Sequence, residues 1–400
     1  MDADRRKQIL SRPKPDPTWP GEPLLGGWYG EEEIEVVEKT IRESMDWRVG
    51  FGFICDEILE FERAFAEYND TAECVTINGA GTGLDMALMC LDLQPEDEVI
   101  VPSVNFRAAP MAVLGQGARL VMGEIEPEGF QLDPNHVEKL MTPNTRAILP
   151  THMNGLAAPM DDYEAIAEKC PHPKQGPAKV IGDAARCGAG GYKGQRIGKP
   201  GWMTIFSFHT QKLMTTLGEG GALTTDDVEA AKRLRELRQF GGASGWGSNY
   251  KLTKVQAAVG MIQLRKLDEM TGLRRQRALE RTAMLQGIPE ITLPHDPQDR
   301  WHTYYLYTCL VPKEWAGEKR DRLNAMMVED FGIGCVVANP PTHQTIPFIR
   351  ENAVNLDLPV SDELASRLTC VSLHPLMTEE DNEYICAALW ECVERIRAGE

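Results

Sequence analysis

The chain reads as an α/β protein, a large domain with a mostly parallel seven-stranded sheet between helices followed by a smaller C-terminal α+β domain. Two observations predict this. Short apolar runs at residues 74–77, 98–101, 119–122, 146–149, 178–181, 203–208 and 222–224 alternate with helical patterns, the rhythm of a sheet buried on both faces. At 400 residues the chain exceeds what one core usually serves, so its last third is expected to fold as a second unit.

In chain order, residues 1–30 are expected to form an N-terminal arm. Met1-Asp2-Ala3-Asp4-Arg5-Arg6-Lys7 is polar and leads into the proline-rich stretch 13–23. Such an arm either crosses a partner subunit or stays disordered. It has no apolar run that could act as a signal peptide or membrane span, which implies a cytoplasmic protein. Residues 31–44 carry Ile34, Val37 and Ile41 at helical spacing, and residues 56–68 carry Ile58, Leu59, Phe61 and Phe65, so two amphipathic helices are expected before the first strand. The large domain, residues 31–270, should end within a long helical stretch from 252 to about 281, with Val255, Ala258, Val259, Ile262, Leu264 and Leu267 as apolar positions. Residues 271–400 then offer strand-like 304–311, helical 320–330, strand-like 333–337 and helical 378–396.

Composition excludes several functions. Sixty acidic against 42 basic residues give a net charge of −18, which repels nucleic acid and anionic lipid and requires that any anionic ligand be held by a local site. The ten cysteines are scattered without a Cys-x-x-Cys pair, and no histidines stand at zinc-ligand spacing. A reducing compartment and no bound metal follow.

The chemistry-bearing motifs fall at strand ends, where open parallel sheets collect their ligands. Gly79-Ala80-Gly81-Thr82-Gly83-Leu84 follows the strand ending at Ile77 and opens a helix, so its N–H groups and the Thr82 hydroxyl can cradle an anion. A plain tight turn would also use these glycines. Asp183 follows the strand ending at Ile181, and Lys212 closes the run Ser207-Phe208-His209-Thr210-Gln211-Lys212. Pyridoxal phosphate needs an amine to form a Schiff base and a carboxylate to keep its pyridine nitrogen protonated, and Lys212 and Asp183 are the candidates. Ser207 can join the phosphate site, Phe106 either stacks on the ring or packs in the core, and His209 either lines the pocket or is solvated. Gly218-Glu219-Gly220-Gly221 permits close backbone packing beside the lysine, or forms a hairpin turn.

The ordered set Gly81-Thr82, Asp97 to Pro102, Asp183-Ala184-Ala185, Ser207 to Lys212 and Gly218 to Gly221 resembles the DegT/DnrJ-type sugar aminotransferase family, pyridoxal-phosphate enzymes of fold type I. The similarity continues through Asn249-Tyr250-Lys251-Leu252-Thr253, Gln256-Ala257-Ala258, Trp301-His302-Thr303-Tyr304 and Ser372-Leu373-His374-Pro375. The resemblance implies that Lys212 is the Schiff-base lysine and proton shuttle and that Asp183 partners the pyridine nitrogen. Gly81, Thr82 and Ser207 would hold the phosphate, Phe106 would stack on the ring, and Asn249 would reach the phosphate of a neighbouring subunit, which makes a homodimer with shared sites. The sequence departs from the family at Arg186, where Gln or His is common beside the cofactor, at Gly182, where an acid is usual, and at Lys251, where Arg is frequent. Asn339-Pro340-Pro341-Thr342-His343 is an unfamiliar version of a substrate-facing loop. His209, Lys251 and His343 are the candidate substrate residues.

The implied activity moves an amino group from L-glutamate or L-glutamine to a keto-sugar, nucleotide-linked or cyclitol-like, with pyridoxamine phosphate formed between the two halves. Arg48, Arg107, Arg186 and Lys251 are candidates for the donor carboxylate. A sugar dehydratase of the same scaffold carries His where Lys212 stands, so the lysine argues against that alternative. A regulator that binds cofactor and sugar without turnover is the other.

Overall fold

The computed structural model describes residues 1–400 apart from Ser244. Its strands are β1 (Glu73–Ile77), β2 (Glu98–Pro102), β3 (Arg119–Gly123), β4 (Thr145–Ile148), β5 (Lys179–Asp183), β6 (Gly191–Tyr192), β7 (Gln195–Arg196), β8 (Met203–Ser207), β9 (Gly221–Thr225), β10 (Arg300–Trp301), β11 (Tyr307–Leu310), β12 (Cys335–Val336), β13 (Ala353–Val354) and β14 (Leu368–Val371). Eight of them form one sheet in the order β1-β9-β8-β5-β4-β2-β3-β13. Within it β9 is antiparallel to both β1 and β8, and the other pairs are parallel.

All seven expected strands belong to this sheet. The eighth, β13, comes from the C-terminal third, where Ala353 and Val354 pair with Leu120 and Val121; a two-residue strand leaves no periodic trace. Side chains alternate to the two faces. On β8, Ile205 joins Leu84 and Leu223 on one side, and Phe206 joins Phe61 and Phe65 on the other, with the Phe65 and Phe206 rings 4.9 Å apart, edge to face.

The arm does not stay irregular, and part of it packs on its own chain. Asp2 caps a helix, Ala3–Leu10, by accepting from the Arg5 N–H at 2.8 Å, a favourable N-terminal arrangement. That helix lies on the C-terminal helix Glu379–Arg397, where Arg5 and Arg12 both reach Glu383 and Ile9 is fully buried. Farther along the arm, Trp19 stacks on His374 at 5.5 Å.

The helix Glu31–Ser44 forms where its periodicity places it, but it is turned outward. Ile34 and Ile41 are exposed, while Glu33 is buried and bonded to Gln263 and Lys266. The long helix Lys254–Leu285 begins at a capping box, Thr253 with Gln256, and passes residue 270 without a break, so the boundary expected there lies inside it. Beyond it, β11, β14 and β12 make a small antiparallel sheet, covered by the helices Glu318–Phe331 and Glu379–Arg397.

Candidate active site

One residue ties three strand ends together. Gly221, first in β9, is in register with Ile77 at the end of β1 and with Ser207 at the end of β8. A Cβ at Gly221 would stand 2.7 Å from the Phe206 carbonyl oxygen and 3.1 Å from the Ala80 nitrogen. Glycine there lets the helix Ala80–Met89 start against the sheet edge. On the neighbouring strand Asp183, last in β5, is in register with Ile205.

The start of that helix suits a phosphate. Its N-cap, Gly79, supplies no side chain to the first-turn N–H groups, and the space around a Cβ at Gly81 is open. Unpaired N–H groups at a ten-residue helix N-terminus attract an anion. Thr82 is half-buried in the first turn and Ser207 sits at the β8 end, its Oγ accepting from the His209 N–H at 3.3 Å.

The loop after β8 is closed by backbone bonds, Phe208 N–H to Gly220 O at 2.9 Å and Thr210 N–H to Gly218 O at 3.0 Å. Lys212 follows in this loop and is half-buried. Its Nζ donates to the Tyr305 hydroxyl at 3.2 Å. Burial and the Arg186 guanidinium push its ammonium down to about 8, against the pull of Glu22 and Asp183. Burial raises the Asp183 carboxyl above the usual range, although the Ala185 N–H, Lys212 and Arg186 all favour its charged form. An amine that is neutral in part near pH 8 and a buried carboxylate facing it match the donor set that pyridoxal phosphate requires.

Arg186 belongs to this group. Its guanidinium donates to Asn154 Oδ1 at 3.2 Å and Asn339 Oδ1 at 3.0 Å and stands 5.4 Å from the Tyr305 ring centre. Both asparagines have positive φ, 54° and 47°, a conformation asparagine tolerates better than most residues. No carboxylate pairs with Arg186 among the described residues. Gly182 also has a local cause, because a Cβ there would stand 2.7 Å from Nε2 of buried His152. The imidazole, which burial pushes down to about 3, occupies the space an acidic side chain would need.

Other expected residues are placed differently. Asn249 is exposed, and its Oδ1 accepts from Lys251 Nζ at 2.6 Å; that ammonium lies 5.2 Å from the Phe53 ring and 4.7 Å from the Phe240 ring. Phe106 is 53% exposed with the Arg107 guanidinium 5.8 Å from its ring, so core packing does not account for it. Arg48 is bound to Asp46 at 2.8 Å. His209 Nδ1 accepts from the Gln211 N–H at 3.4 Å. His343 is buried with Nε2 3.4 Å from Asp362, and neither hydrogen bond nor ion pair joins it to Lys212; its chain is drawn inward by Thr342, which donates twice to the Ser103 carbonyl. His343 therefore stands apart from the hydrogen-bonded group around Lys212. Tyr305 and Glu22 were missed. Tyr305 directly follows the Trp301-to-Tyr304 motif, whereas Glu22 is an unremarkable acid in the proline-rich arm and left no signal.

The comparisons agree with this chemistry. The profile of the DegT/DnrJ/EryC1/StrS aminotransferase family matches residues 29–390. The chain is 34% identical over 346 residues to the dTDP-3-amino-3,4,6-trideoxy-alpha-D-glucose transaminase of Streptomyces venezuelae, covering 85% of this chain and 88% of that protein. It is 33% identical over 340 residues to the erythromycin biosynthesis sensory transduction protein EryC1 of Saccharopolyspora erythraea, covering 82% and 88%. The crystal structure of S. venezuelae DesV in complex with a ketimine intermediate superposes with a TM-score of 0.83 at 33% identity, over 91% of this chain and 96% of that one. With its cofactor-binding architecture and its sequence both matched over most of its length, the chain belongs to the DegT/DnrJ/EryC1/StrS aminotransferase family, enzymes that use pyridoxal phosphate.

Proposed function

We propose that the protein transfers an amino group from L-glutamate or L-glutamine to a keto-sugar, nucleotide-linked or cyclitol-like. The position of Lys212 carries this reading: an amine withdrawn from solvent, bonded to Tyr305 and facing Asp183 and Arg186 at the carboxyl edge of the sheet. When bound, pyridoxal phosphate supplies an aldehyde carbon and a ring that draws electrons from the adjoining substrate carbon.

The chain's own residues supply the rest. Lys212 would anchor the cofactor covalently and, when free of it, would hold and move a proton at its Nζ. Asp183 keeps a negative charge beside the ring nitrogen, and the Ala80–Met89 helix start with Thr82 and Ser207 holds the phosphate. Phe106, exposed at the site, would stack on the ring. Of the four cations considered for the donor carboxylate, Arg186 is favoured, because it stands in the Lys212 group and its hydrogen-bond partners among the described residues, two asparagine oxygens and the Met153 sulfur, are all neutral.

The working unit is read as a cytoplasmic homodimer whose arm, large domain and small domain divide near residues 30 and 270. Two features support the pairing. Asn249 is exposed and among the described residues its side chain is bonded to Lys251 alone, which suits a residue that completes the neighbouring phosphate site. The segment after the helix Glu31–Ser44 also exposes Met45, Trp47, Val49, Phe51 and Phe53, with Trp47 89% exposed and Phe53 5.2 Å from the Lys251 ammonium that binds Asn249; exposed apolar surface of this kind marks protein interfaces. No helix among the described residues is long and apolar enough to cross a membrane.

Adding L-glutamate or L-glutamine to cofactor-loaded protein should convert its visible absorption to that of the pyridoxamine form and release a 2-oxo acid. Absence of conversion with any amino acid would favour a cofactor-binding regulator, the reading that the name of the S. erythraea relative raises.

A further inference from the structure

We propose that Tyr305 and Glu22 hold the Lys212 amine in its working position and govern when it carries a proton, Tyr305 by direct contact and Glu22 as a positioning residue behind it. The inference rests on the reading of Lys212 as the covalent amine.

The direction of the hydrogen bonds carries the argument. The Tyr305 hydroxyl gives its proton to Glu22, so its oxygen is left to accept, and Lys212 Nζ donates to it at 3.2 Å. With its proton committed elsewhere, the phenol presents a fixed acceptor to the lysine. An amine released in mid-reaction needs such a resting place, since a loose four-carbon chain would lose its aim.

Charge is balanced around the same ring. Lys212 Nζ lies 4.8 Å and the Arg186 guanidinium 5.4 Å from the Tyr305 ring centre. Four groups therefore face the amine: Arg186 opposes its proton, Asp183 and Glu22 favour it, and Tyr305 accepts from it. Arg274 stands behind Tyr305, but its guanidinium is taken up by the carbonyls of Tyr305, Leu373 and Gly26. Glu22 is thus a carboxylate poised against Arg186, and it comes from outside the sheet.

The arm brings it there by several bonds. Leu24 O accepts from the Thr210 hydroxyl at 2.7 Å, and the Gly26 N–H donates to Thr210 O at 3.0 Å. Arg274 binds Gly26 O at 2.7 Å, and His374 Nε2 lies 2.9 Å from Leu25 O. Leu24 and Gly26 are thereby tied to Thr210 in the loop that carries Lys212, which sets the arm segment beside Glu22 against the segment beside the amine.

The test follows Lys212 itself. Full-length protein freed of cofactor is treated with an amine-acylating reagent across pH values around 8, and modification of the Lys212 peptide is read by mass spectrometry. The visible absorption of the loaded protein is titrated in parallel. Glu22→Gln should label Lys212 about two- to threefold faster at neutral pH, the result of a half-unit fall in its midpoint. Tyr305→Phe should shift the midpoint the same way, and Glu22→Asp should keep the wild-type midpoint. A wild-type midpoint in Glu22→Gln and Tyr305→Phe, or a shifted one in Glu22→Asp, overturns the proposal. Borohydride fixation of the cofactor on a lysine other than Lys212 would instead remove the assignment beneath it.

Discussion

The Cα of Gly26 lies so close to the backbone beside Lys212 that a side-chain carbon on it would overlap the carbonyl oxygens of Gln211 and Lys212. Neither oxygen belongs to a flexible side chain that could yield. Gly26→Ala should therefore push the arm off the lysine loop, with a stability loss of about 1–3 kcal/mol from overpacking and weaker retention of cofactor. Urea unfolding and the cofactor content after dialysis measure the two effects. Wild-type values of both would mean that the arm and the loop are not locked together.

Lys212→Ala removes anchor and proton carrier at once. The variant is expected to hold cofactor only noncovalently, to lose it on dialysis, and to turn over several orders of magnitude more slowly. Peptide mapping after borohydride reduction should place the modified residue at position 212 in the wild type and nowhere in the variant.

Asp183→Asn is close to isosteric at a site that is buried but accepts a single local hydrogen bond, from the Ala185 N–H at 3.0 Å. Folding should survive, while the chemical step collapses because the ring nitrogen loses its counter-charge. Single-turnover conversion with the donor amino acid isolates that step. A wild-type rate there would take the role away from Asp183.

What could be read in the sequence followed the strength of local pattern. The seven main strands are each built on a run of buried apolar residues, and Asp183 closes one of them while Ser207 closes another and Lys212 follows it, so the strands and the candidate residues at their ends were legible together. Gly221, in register with both Ile77 and Ser207, explains why separate strand ends meet. Glu22 was not legible, because its role comes from contact with Tyr305, 283 positions away, and sequence spacing carries no such information. The burial of His343 was not legible for a related reason: a histidine in a loop beside prolines looks accessible, and the two hydrogen bonds from Thr342 to the Ser103 carbonyl beside it leave no trace in the sequence. The stripe of Ile34, Val37 and Ile41 gave the helix correctly but not its facing. Periodicity states that one side is apolar, not what covers it.

The inward side of that helix yields a prediction about pH. Glu33 is 2% exposed and accepts from the Gly30 N–H at 2.7 Å, Gln263 Nε2 at 2.8 Å and Lys266 Nζ at 2.9 Å. Burial alone would raise its pKa, but Lys266, Gly30 and Gln263 together hold it below the usual value of 4.5. A carboxyl whose folded pKa is depressed contributes stability that is fully present above its unfolded pKa and is lost as the pH falls through the folded one. Glu33→Gln should thus cost about 2 kcal/mol near neutral pH, through the loss of charge-assisted hydrogen bonds. The difference from wild type should hold steady down to about pH 5 and shrink at lower pH. Urea unfolding of both proteins across this range decides the matter, and a difference that grew on acidification would show that Glu33 is not held charged by its partners.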